Sequence, residues 1–332
     1  MSPAFFFELS GESKDLPAAE ALRCIEAEAS EHEVLASGPG YLIASFPEEF
    51  LDAIAGRVAL THGIGRYLGT YDPDDPSSLS DVELPSGTFA IKAKRFEGMM
   101  KDADSQKIVR NAGALLSRKN QVDLKDPDIL VKMQMCDRVH LYIEERSIEK
   151  DLLEKRKVGE RPFFSPISLH PKYARTLINL TGVKRGGTVL DPFCGTGGIV
   201  IEAAEMGMKA IASDFDENMV IGCRENIDFY KLKLEDFDTL DISDIAERFG
   251  NIDAVATDPP YGRSTKTGGE DISKIYDRAM SSIPNVLNPD GRAGIIFPHE
   301  VRSDTMVLEN IYRQRVHGSL SRHYHIFRKQ RH

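Results

Sequence analysis

A glycine-rich turn in the second half of this 332-residue chain constrains its fold more than any other feature. The apolar run Thr188-Val-Leu ends in Asp191, and Pro-Phe-Cys-Gly-Thr-Gly-Gly then leads into a helical run that begins near Gly198. Glycines let the backbone turn sharply and approach a ligand closely. The first turn of a helix has free N–H groups that face such a loop. The pattern therefore predicts a ligand site between a strand and the following helix.

An acidic residue at the end of the next strand narrows the ligand class. Asp214 follows Asp191 by 23 residues, and a carboxylate at the tip of a neighbouring strand can accept hydrogen bonds from both hydroxyls of a ribose. The loop does not match GxGxxG and the chain has no GxxxxGK(S/T), which disfavours a dinucleotide site and a P-loop. Because Asp191 places an acid before the glycines, S-adenosylmethionine, with its cationic sulfonium and amino groups, fits better than a pyrophosphate. The alternative interpretation is a turn that only packs the helix against the strand, and the position of Asp214 argues against this alternative.

From Arg161 onward the chain alternates between short apolar strands and helical runs. Strands are predicted at 189–190, 210–212, 254–257 and 294–297. Helices are predicted at 199–206, 217–230, 242–249 and 272–287. Such alternation is typical of an α/β fold, with a parallel sheet and helices on both of its faces.

The motif Asp258-Pro-Pro-Tyr261 falls where the fourth strand of this series should end, 67 residues after Asp191. Two prolines stop the strand and fix the backbone. The carboxylate of Asp258 and the carbonyl of Pro259 can each accept one N–H of an exocyclic amine, which aims the nitrogen lone pair at an electrophilic methyl group. Tyr261 offers a ring for stacking on a base. The alternative interpretation is an ordinary proline-rich turn. The position of the motif in the strand series favours a catalytic role, in which the turn positions the substrate.

The first half has a mixed pattern. Strands are predicted at 5–9, 41–46, 88–93, 129–135 and 139–143. Helices are predicted at 17–27, 47–54 and 105–116. Residues 71–87 have the composition of a loop, and the charged segment 144–159 separates the two halves, which places a domain boundary near residue 155.

Charge and cysteine content leave several function classes open. The net charge is −10, but residues 1–50 alone contribute −8, and residues 301–332 carry a local charge of +5. A nucleic-acid partner depends on a local positive face more than on the sum. The four cysteines are far apart, which disfavours a disulfide framework or a cysteine zinc site and favours a reducing cytoplasm. No apolar run has the roughly 18 residues that a membrane helix needs.

The motifs of the second half resemble those of class I S-adenosylmethionine-dependent amino-methyltransferases with a (D/N)-P-P-(Y/F) motif. More closely, the chain is similar to the archaeal tRNA guanine-10 N2-methyltransferase family. The matching stretches of the second half are 161–163, 169–172, 174–175, 191–198, 257–264 and 315–322, and those of the first half are 89–95 and 122–131. The resemblance implies a ferredoxin-like region at 1–60, a THUMP RNA-binding domain at 61–145 and a linker at 146–160. Residues 161–332 would form a Rossmann-like class I methyltransferase domain with a seven-stranded, mostly parallel sheet.

The resemblance also implies roles for individual residues. The catalytic turn would be Asp258, Pro259, Pro260 and Tyr261. The cofactor would be S-adenosylmethionine, held by Asp191, Cys194, Gly195, Thr196, Gly197 and Asp214, with Asp214 at the ribose. Asp241 would meet the adenine amine, or would cap a helix instead. His170 would help to close the site, although a lone histidine is more often structural.

Basic side chains in the first half predict the RNA-binding surface. They are Lys92, Lys94 and Arg95 on a predicted strand, and Lys107, Arg110, Arg118 and Lys119 on or just after a helix. A solvated charged face is the alternative. The tail at 322–331 alternates and is predicted to be a last edge strand with a basic outer face. His323 and His325 lack a third ligand nearby, so no metal site is predicted.

The sequence thus favours an enzyme that methylates the exocyclic N2 amine of a tRNA guanine, with position 10 implied by the resemblance alone. Methylation of a ribosomal RNA guanine or of a DNA adenine at N6 are the alternatives within the same chemistry. An RNA-binding protein with a vestigial methyltransferase fold is the alternative without catalysis. We expect a cytoplasmic monomer with tRNA as its partner, without a membrane association or an obligate protein partner. The sequence leaves open whether one or two methyl groups are added.

Overall fold

The computed structural model describes residues 2–165, 168–261, 269–317 and 320–330. The chain divides into two compact units. The first consists of Met1–Ile25, Ala29–Ala55 and Leu60–Ile148, and the second of Glu26–Glu28, Gly56–Ala59 and Glu149–His332. Each unit contains a seven-stranded sheet.

The sheet of the first unit has the order β2-β3-β1-β4-β7-β6-β5. Its strands are β1 (Ala4–Leu9), β2 (Glu33–Gly38), β3 (Tyr41–Ser45), β4 (Thr61–Tyr71), β5 (Phe89–Arg95), β6 (Ile129–Met135) and β7 (Val139–Ser147). The pair β5–β6 is parallel and the other neighbours are antiparallel. Because β4 pairs with both β1 and β7, the segments 1–60 and 61–145 share one sheet. Their division into a ferredoxin-like region and a THUMP domain stays a prediction.

The helices of this region are α1 (Leu16–Glu28), α2 (Leu51–Ala55) and α3 (Ser105–Leu116). The side chain of Asp104 caps α3 by accepting hydrogen bonds from the N–H groups of Gln106 and Lys107, as an N-cap aspartate does. Residues 108, 112 and 116 of α3 form a buried stripe at i, i+4 spacing that packs on strands β5 and β6. Packing therefore fixes which face of α3 points to solvent.

The sheet of the second unit has the order β10-β9-β8-β11-β12-β14-β13. Its strands are β8 (Thr188–Asp191), β9 (Lys209–Asp214), β10 (Asp236–Thr239), β11 (Ile252–Thr257), β12 (Leu287–Phe297), β13 (Met306–His317) and β14 (Leu320–Lys329). The first five strands in this order are parallel, and β14 is antiparallel to both of its neighbours. The strand order reverses between β8 and β11, which opens a crevice at their carboxyl ends.

Helices cover both faces of this sheet. They are α4 (Lys150–Glu154), α5 (Pro171–Leu180), α6 (Gly198–Glu205), α7 (Glu217–Phe229), α8 (Ile245–Arg248) and α9 (Ile272–Val286). Ile295 of β12 belongs to a buried cluster with Ile283 of α9, whereas a Cβ at Gly294 would lie 3.1 Å from Leu177 of α5. Because successive strand residues point to opposite faces, α5 and α9 lie on opposite sides of β12. The predicted α/β class is confirmed.

Several elements differ from the sequence-based prediction. The helix predicted at 242–249 is confined to the four residues of α8. The last strand predicted at 322–331 corresponds to β14, Leu320–Lys329. Its predicted edge position is wrong, because β14 lies between β12 and β13, and β13 is the edge. The charged segment 144–159 contains the end of β7, the short helix α4 and a 3-10 turn at Val158–Glu160. No helix in the described part of the chain is long and apolar enough to cross a membrane.

Candidate active site

The carboxyl ends of β8, β9 and β11 enclose a cleft of about 300 Å³. Three turns form its walls: the glycine loop between β8 and α6, the end of β9, and the turn after β11. The predicted site residues that line it are Asp191, Cys194, Gly195, Thr196, Asp214, Asp258, Pro259, Pro260 and Tyr261. The fold thus brings together residues that are up to 70 positions apart in sequence.

The glycine loop has a backbone that side chains would disfavour. Gly195 has φ +48° and Gly197 has φ +83°, in the left-handed region where glycine carries no steric cost. A Cβ at Gly197 would also lie 2.7 Å from Sγ of Cys223 on α7. Gly197 is the N-cap of α6 and does not itself line the cleft, so it shapes the loop from behind.

Asp191 ends β8 and is almost completely buried. Its Oδ1 accepts hydrogen bonds from the hydroxyl of Thr257 at 2.7 Å and from the N–H of Phe193 at 3.2 Å. Burial raises the pKa of Asp191 to about 7, because a desolvated carboxylate loses hydration. Repulsion by Asp214 and Asp258 contributes to this increase, and the hydrogen bonds from Thr257 and Phe193 oppose it. A cation in the cleft would relieve this cluster of negative charge.

Asp214 ends β9 and holds the glycine loop in place. Its Oδ2 accepts the N–H of Gly195 and its Oδ1 accepts the N–H of Asp216, each at 3.0 Å. Burial raises the pKa of this carboxyl above its ordinary value. Each carboxylate oxygen can accept a further hydrogen bond, so the group can still receive two hydroxyl donors from the cleft.

The turn after β11 presents an unsatisfied acceptor. Oδ1 of Asp258 is buried and accepts no hydrogen bond from any described residue. Burial raises the pKa of Asp258 to about 7, and the positive charge of Arg322 acts in the opposite direction. The hydroxyl of Tyr276 on α9 donates to the carbonyl of Pro260 at 3.1 Å, and Nε of Arg322 donates to Oη of Tyr261 at 3.0 Å. The turn is therefore held from two sides while one carboxylate oxygen stays available. The matching residues 262–264 and 318–319 lie outside the described residues.

Two of the predicted cofactor-binding residues lie away from this cleft. His170 is the N-cap of α5, where its Nδ1 accepts the N–H of Lys172 at 3.3 Å, and its Nε2 lies 3.2 Å from Oε1 of Glu154. Asp241 lines an adjoining cavity of about 220 Å³ that shares Phe193, Phe215 and Pro260 with the cleft. There its carboxylate pairs with Arg278 and accepts the N–H of Ser243 at 2.9 Å. The alternative of a helix cap is wrong, because Asp244 is the N-cap of α8.

The sequence patterns missed several residues of the cleft wall. Ser168 and Leu169 reach it from the segment before α5, and Phe215 and Met219 reach it from the start of α7. The hydroxyl groups of Ser168 and Thr196 lie 2.8 Å apart and form a hydrogen bond. The sequence signal for Phe215 is its position directly after the acid that ends β9. In the structure its side chain is 46% exposed.

The predicted RNA-binding cations of the first unit fall into two groups. Lys94 pairs with Glu8, Lys119 pairs with Glu83, and Arg95 is half-buried and donates to the carbonyl of Ala103. The others are exposed and have no carboxylate within 4.0 Å among the described residues. They are Lys92, Lys107, Arg110 and Arg118. Strand alternation places Lys92 and Lys94 on one exposed face of β5.

The strand order of the second unit and the cleft at its carboxyl edge define a class I methyltransferase domain. The UPF0020 family model, described as an RMKL-like methyltransferase domain, matches residues 158–323. The tRNA (guanine(10)-N2)-dimethyltransferase of Methanothermobacter thermautotrophicus is 34% identical over 95% of this chain and 96% of its own length. That of Pyrococcus abyssi is 35% identical over 81% and 84%. The chain therefore belongs to the family of these tRNA methyltransferases, and the resemblance found in the sequence is confirmed.

Solved structures share the fold. The crystal structure of TrmN from Thermus thermophilus has a TM-score of 0.54 and 21% identity, covering 98% of this chain and 100% of that one. SMU.472, a putative methyltransferase complexed with SAH, has a TM-score of 0.50 and 16% identity, with each chain covered completely.

Proposed function

We propose that this protein transfers a methyl group from S-adenosylmethionine to the exocyclic N2 amine of guanine 10 in tRNA. The observation that carries the proposal is the buried, unsatisfied Oδ1 of Asp258 at the rim of the cleft. Such an acceptor costs free energy unless a ligand satisfies it. A guanine amine supplies the missing donor, and the names of the family members support guanine 10 in tRNA.

The residues of the cleft fit the cofactor. S-adenosylmethionine would supply a methyl group bonded to a positively charged sulfur. Asp214 would accept the two ribose hydroxyls, and the carboxylate of Asp191 favours a cation. The adjoining cavity, with Phe215 and Asp241, offers an aromatic ring and an acceptor for adenine. Binding of the positive charge would stabilise the ionised form of the clustered carboxylates.

The turn after β11 can do the chemistry by positioning alone. Oδ1 of Asp258 would accept one N–H of the guanine amine and the carbonyl of Pro259 the other, which turns the nitrogen lone pair toward the methyl group. The carboxylate also stabilises the positive charge that grows on the nitrogen. The proton leaves after methyl transfer, so no strong base is required. The ring of Tyr261 would stack on a guanine that has left the RNA stack.

The alternative substrates have less support. Family members are named for tRNA guanine-N2 methylation, and the same turn acting on a ribosomal guanine or a DNA adenine would need another recognition module. A vestigial, non-catalytic fold would have no use for an unsatisfied buried carboxylate at Asp258.

A tRNA that lacks the target amine gives the direct test. We expect the purified protein and methyl-labelled S-adenosylmethionine to label unmodified tRNA at guanine 10. Nucleoside mapping also separates N2-methylguanosine from N2,N2-dimethylguanosine, which decides between one and two transfers. The control is the same tRNA with inosine at position 10, because inosine differs from guanosine only by the missing amine. Equal labelling of the inosine tRNA, or label in adenosine, would contradict the proposal.

We also propose that the first unit contains the THUMP domain and binds tRNA through its unpaired exposed cations. Nucleic-acid affinity comes largely from phosphate contacts by such side chains. Lys94 and Lys119 are already paired with carboxylates, so they should contribute less than Lys92, Lys107 and Arg110. The protein would act in the cytoplasm as a monomer without an obligate protein partner.

Removing the four unpaired cations should weaken tRNA binding without affecting the cofactor. We expect the variant with glutamine at 92, 107, 110 and 118 to bind tRNA roughly 10- to 100-fold more weakly at low salt. The slope of the logarithm of the binding constant against the logarithm of the salt concentration should become less steep by about 3, since each lost phosphate contact removes about 0.7 to 0.9 from that slope.

The matched control replaces four exposed lysines elsewhere, Lys14, Lys184, Lys209 and Lys233. Fluorescence titrations with tRNA at several salt concentrations measure both quantities. If both variants lost the same amount of tRNA affinity and of salt dependence, the four cations of the first unit would not form a specific tRNA-binding surface.

A further inference from the structure

Arg322 connects the last strands of the sheet to the proposed catalytic turn. Its Nε donates to Oη of Tyr261 at 3.0 Å. The pairing of β14 with β12 ends at His323 and Phe297, so Arg322 lies one residue past the last pair. Since β12 is parallel to β11, this is the edge of the sheet where the turn with Asp258 begins.

The same contact extends to Asp258. The hydroxyl of Tyr261, which accepts from Arg322, also lies close enough to the carboxylate of Asp258 to lower its pKa. Oδ1 of Asp258 has no hydrogen-bond partner in the described part of the chain. Arg322 therefore holds the ring that neighbours the carboxylate, and Oδ1 of Asp258 can accept a hydrogen bond from a substrate.

The charges around Asp258 make Arg322 distinctive. The titratable groups that face it are Asp191 at the end of β8, Tyr261 in the turn, Tyr276 on α9, and Arg322 and Tyr324 on β14. Among these described groups, Arg322 is the one that carries a positive charge. It is half-buried, so its field is less screened by solvent than that of a surface arginine.

We propose that Arg322 is a positioning residue, which orients the ring of Tyr261 and places a positive charge near the carboxylate that accepts the target amine. This inference rests on the proposed role of Asp258. A carboxylic acid keeps a carbonyl acceptor but loses the negative charge, so protonation would weaken both the hydrogen bond to the amine and the stabilisation of the positive charge that grows on its nitrogen. An arginine suits the task because its planar group can donate from Nε while its charge remains near the carboxylate.

The pH dependence of single-turnover methylation separates this role from a merely structural one. With tRNA and cofactor saturating, the rate should fall as the pH drops through the pKa of Asp258, which is about 7 in the free protein. In Arg322→Met the nearby positive charge is lost, so this acidic limb should move upward by about one pH unit. The rate below the limb should then fall about tenfold, and most of that loss should be recovered at higher pH.

Three comparison variants make the test decisive. Arg322→Lys keeps the charge, so its limb should stay in place while the rate falls moderately at every pH because Tyr261 is less well oriented. Arg315→Met removes an exposed arginine of β13 and should change neither quantity. An unmoved limb in Arg322→Met, or equal losses at every pH in both Arg322 variants, would overturn the proposal.

Asp258→Asn distinguishes failure of this inference from failure of the proposed function. An amide does not titrate, so its rate should be low and independent of pH across the limb. If Asp258→Asn were as fast as the unchanged protein, the catalytic role of Asp258 itself would be wrong. If it were slow but kept the limb, another group such as Asp191, whose pKa is also about 7, would titrate and the inference about Arg322 would fail. If the limb vanished there but stayed unmoved in Arg322→Met, only the role of Arg322 would fail.

Discussion

Replacing Asp258 with alanine should lower the single-turnover rate of tRNA methylation by about 10²- to 10³-fold. The substitution removes the acceptor for the guanine amine and the negative charge that favours positive charge growing on its nitrogen. The fold should tolerate the change, because the turn is fixed by two prolines and by the hydrogen bond from Tyr276 to the carbonyl of Pro260. Loss of an unsatisfied, buried carboxylate also removes a desolvation cost.

The matched variant is Asp258→Asn. Its amide oxygen can still accept an N–H, so it should retain more activity than alanine. Rates measured at saturating tRNA and cofactor isolate the chemical step, and separate titrations should show unchanged affinity for both. If the alanine variant were as fast as the unchanged protein, Asp258 would be a turn residue and the catalytic assignment would be wrong.

The parts of the site that the sequence predicted are those in which a local rule fixes the geometry. Asp191, Asp214 and Asp258 each end an apolar strand run, and the first and third are followed directly by a proline. Parallel strands place their carboxyl ends on one edge, so three local patterns suffice to predict one cleft. Helix α3 and strand β6 have the predicted bounds, 105–116 and 129–135, because their apolar spacing is regular and their neighbours are polar.

Elements whose reason lies in a distant partner could not be predicted. Strand β4 contains Gly63, Gly65 and Gly69, which weaken a strand pattern. A Cβ at Gly65 would lie 2.4 Å from the carbonyl oxygen of Ile143 on β7, so a close approach between strands explains that glycine. Strand β13 has two register shifts against β14, and these disturb the alternation from which strands are recognised.

The partners of individual side chains could not be predicted from the sequence either. Lys94 and Glu8 are 86 positions apart, and Lys119 and Glu83 are 36 apart. The basic residues of the first half therefore looked equivalent in sequence, although two of them are neutralised by the fold. No local sequence pattern indicates that Arg322 belongs to the site, because its contact with Tyr261 crosses 61 positions.

Replacing Asp214 with alanine should weaken cofactor binding by about 2 to 3 kcal/mol, a rise in Kd of roughly 30- to 150-fold. Two charge-assisted hydrogen bonds to the ribose hydroxyls would be lost. The N–H groups of Gly195 and Asp216 would also lose their acceptor, so the glycine loop would be less well ordered before the cofactor binds. Affinity for tRNA should be unaffected, since the first unit supplies the proposed contacts.

Asp214→Asn serves as the matched variant. It keeps the shape and one oxygen acceptor but loses the charge, so its Kd should lie between those of the unchanged protein and the alanine variant. Calorimetric titration with S-adenosylmethionine measures the Kd of all three proteins, and thermal unfolding without cofactor establishes that each variant is folded. An alanine variant that is folded and binds the cofactor as tightly as the unchanged protein would remove Asp214 from the ribose site. The glycine loop alone would then have to account for the affinity.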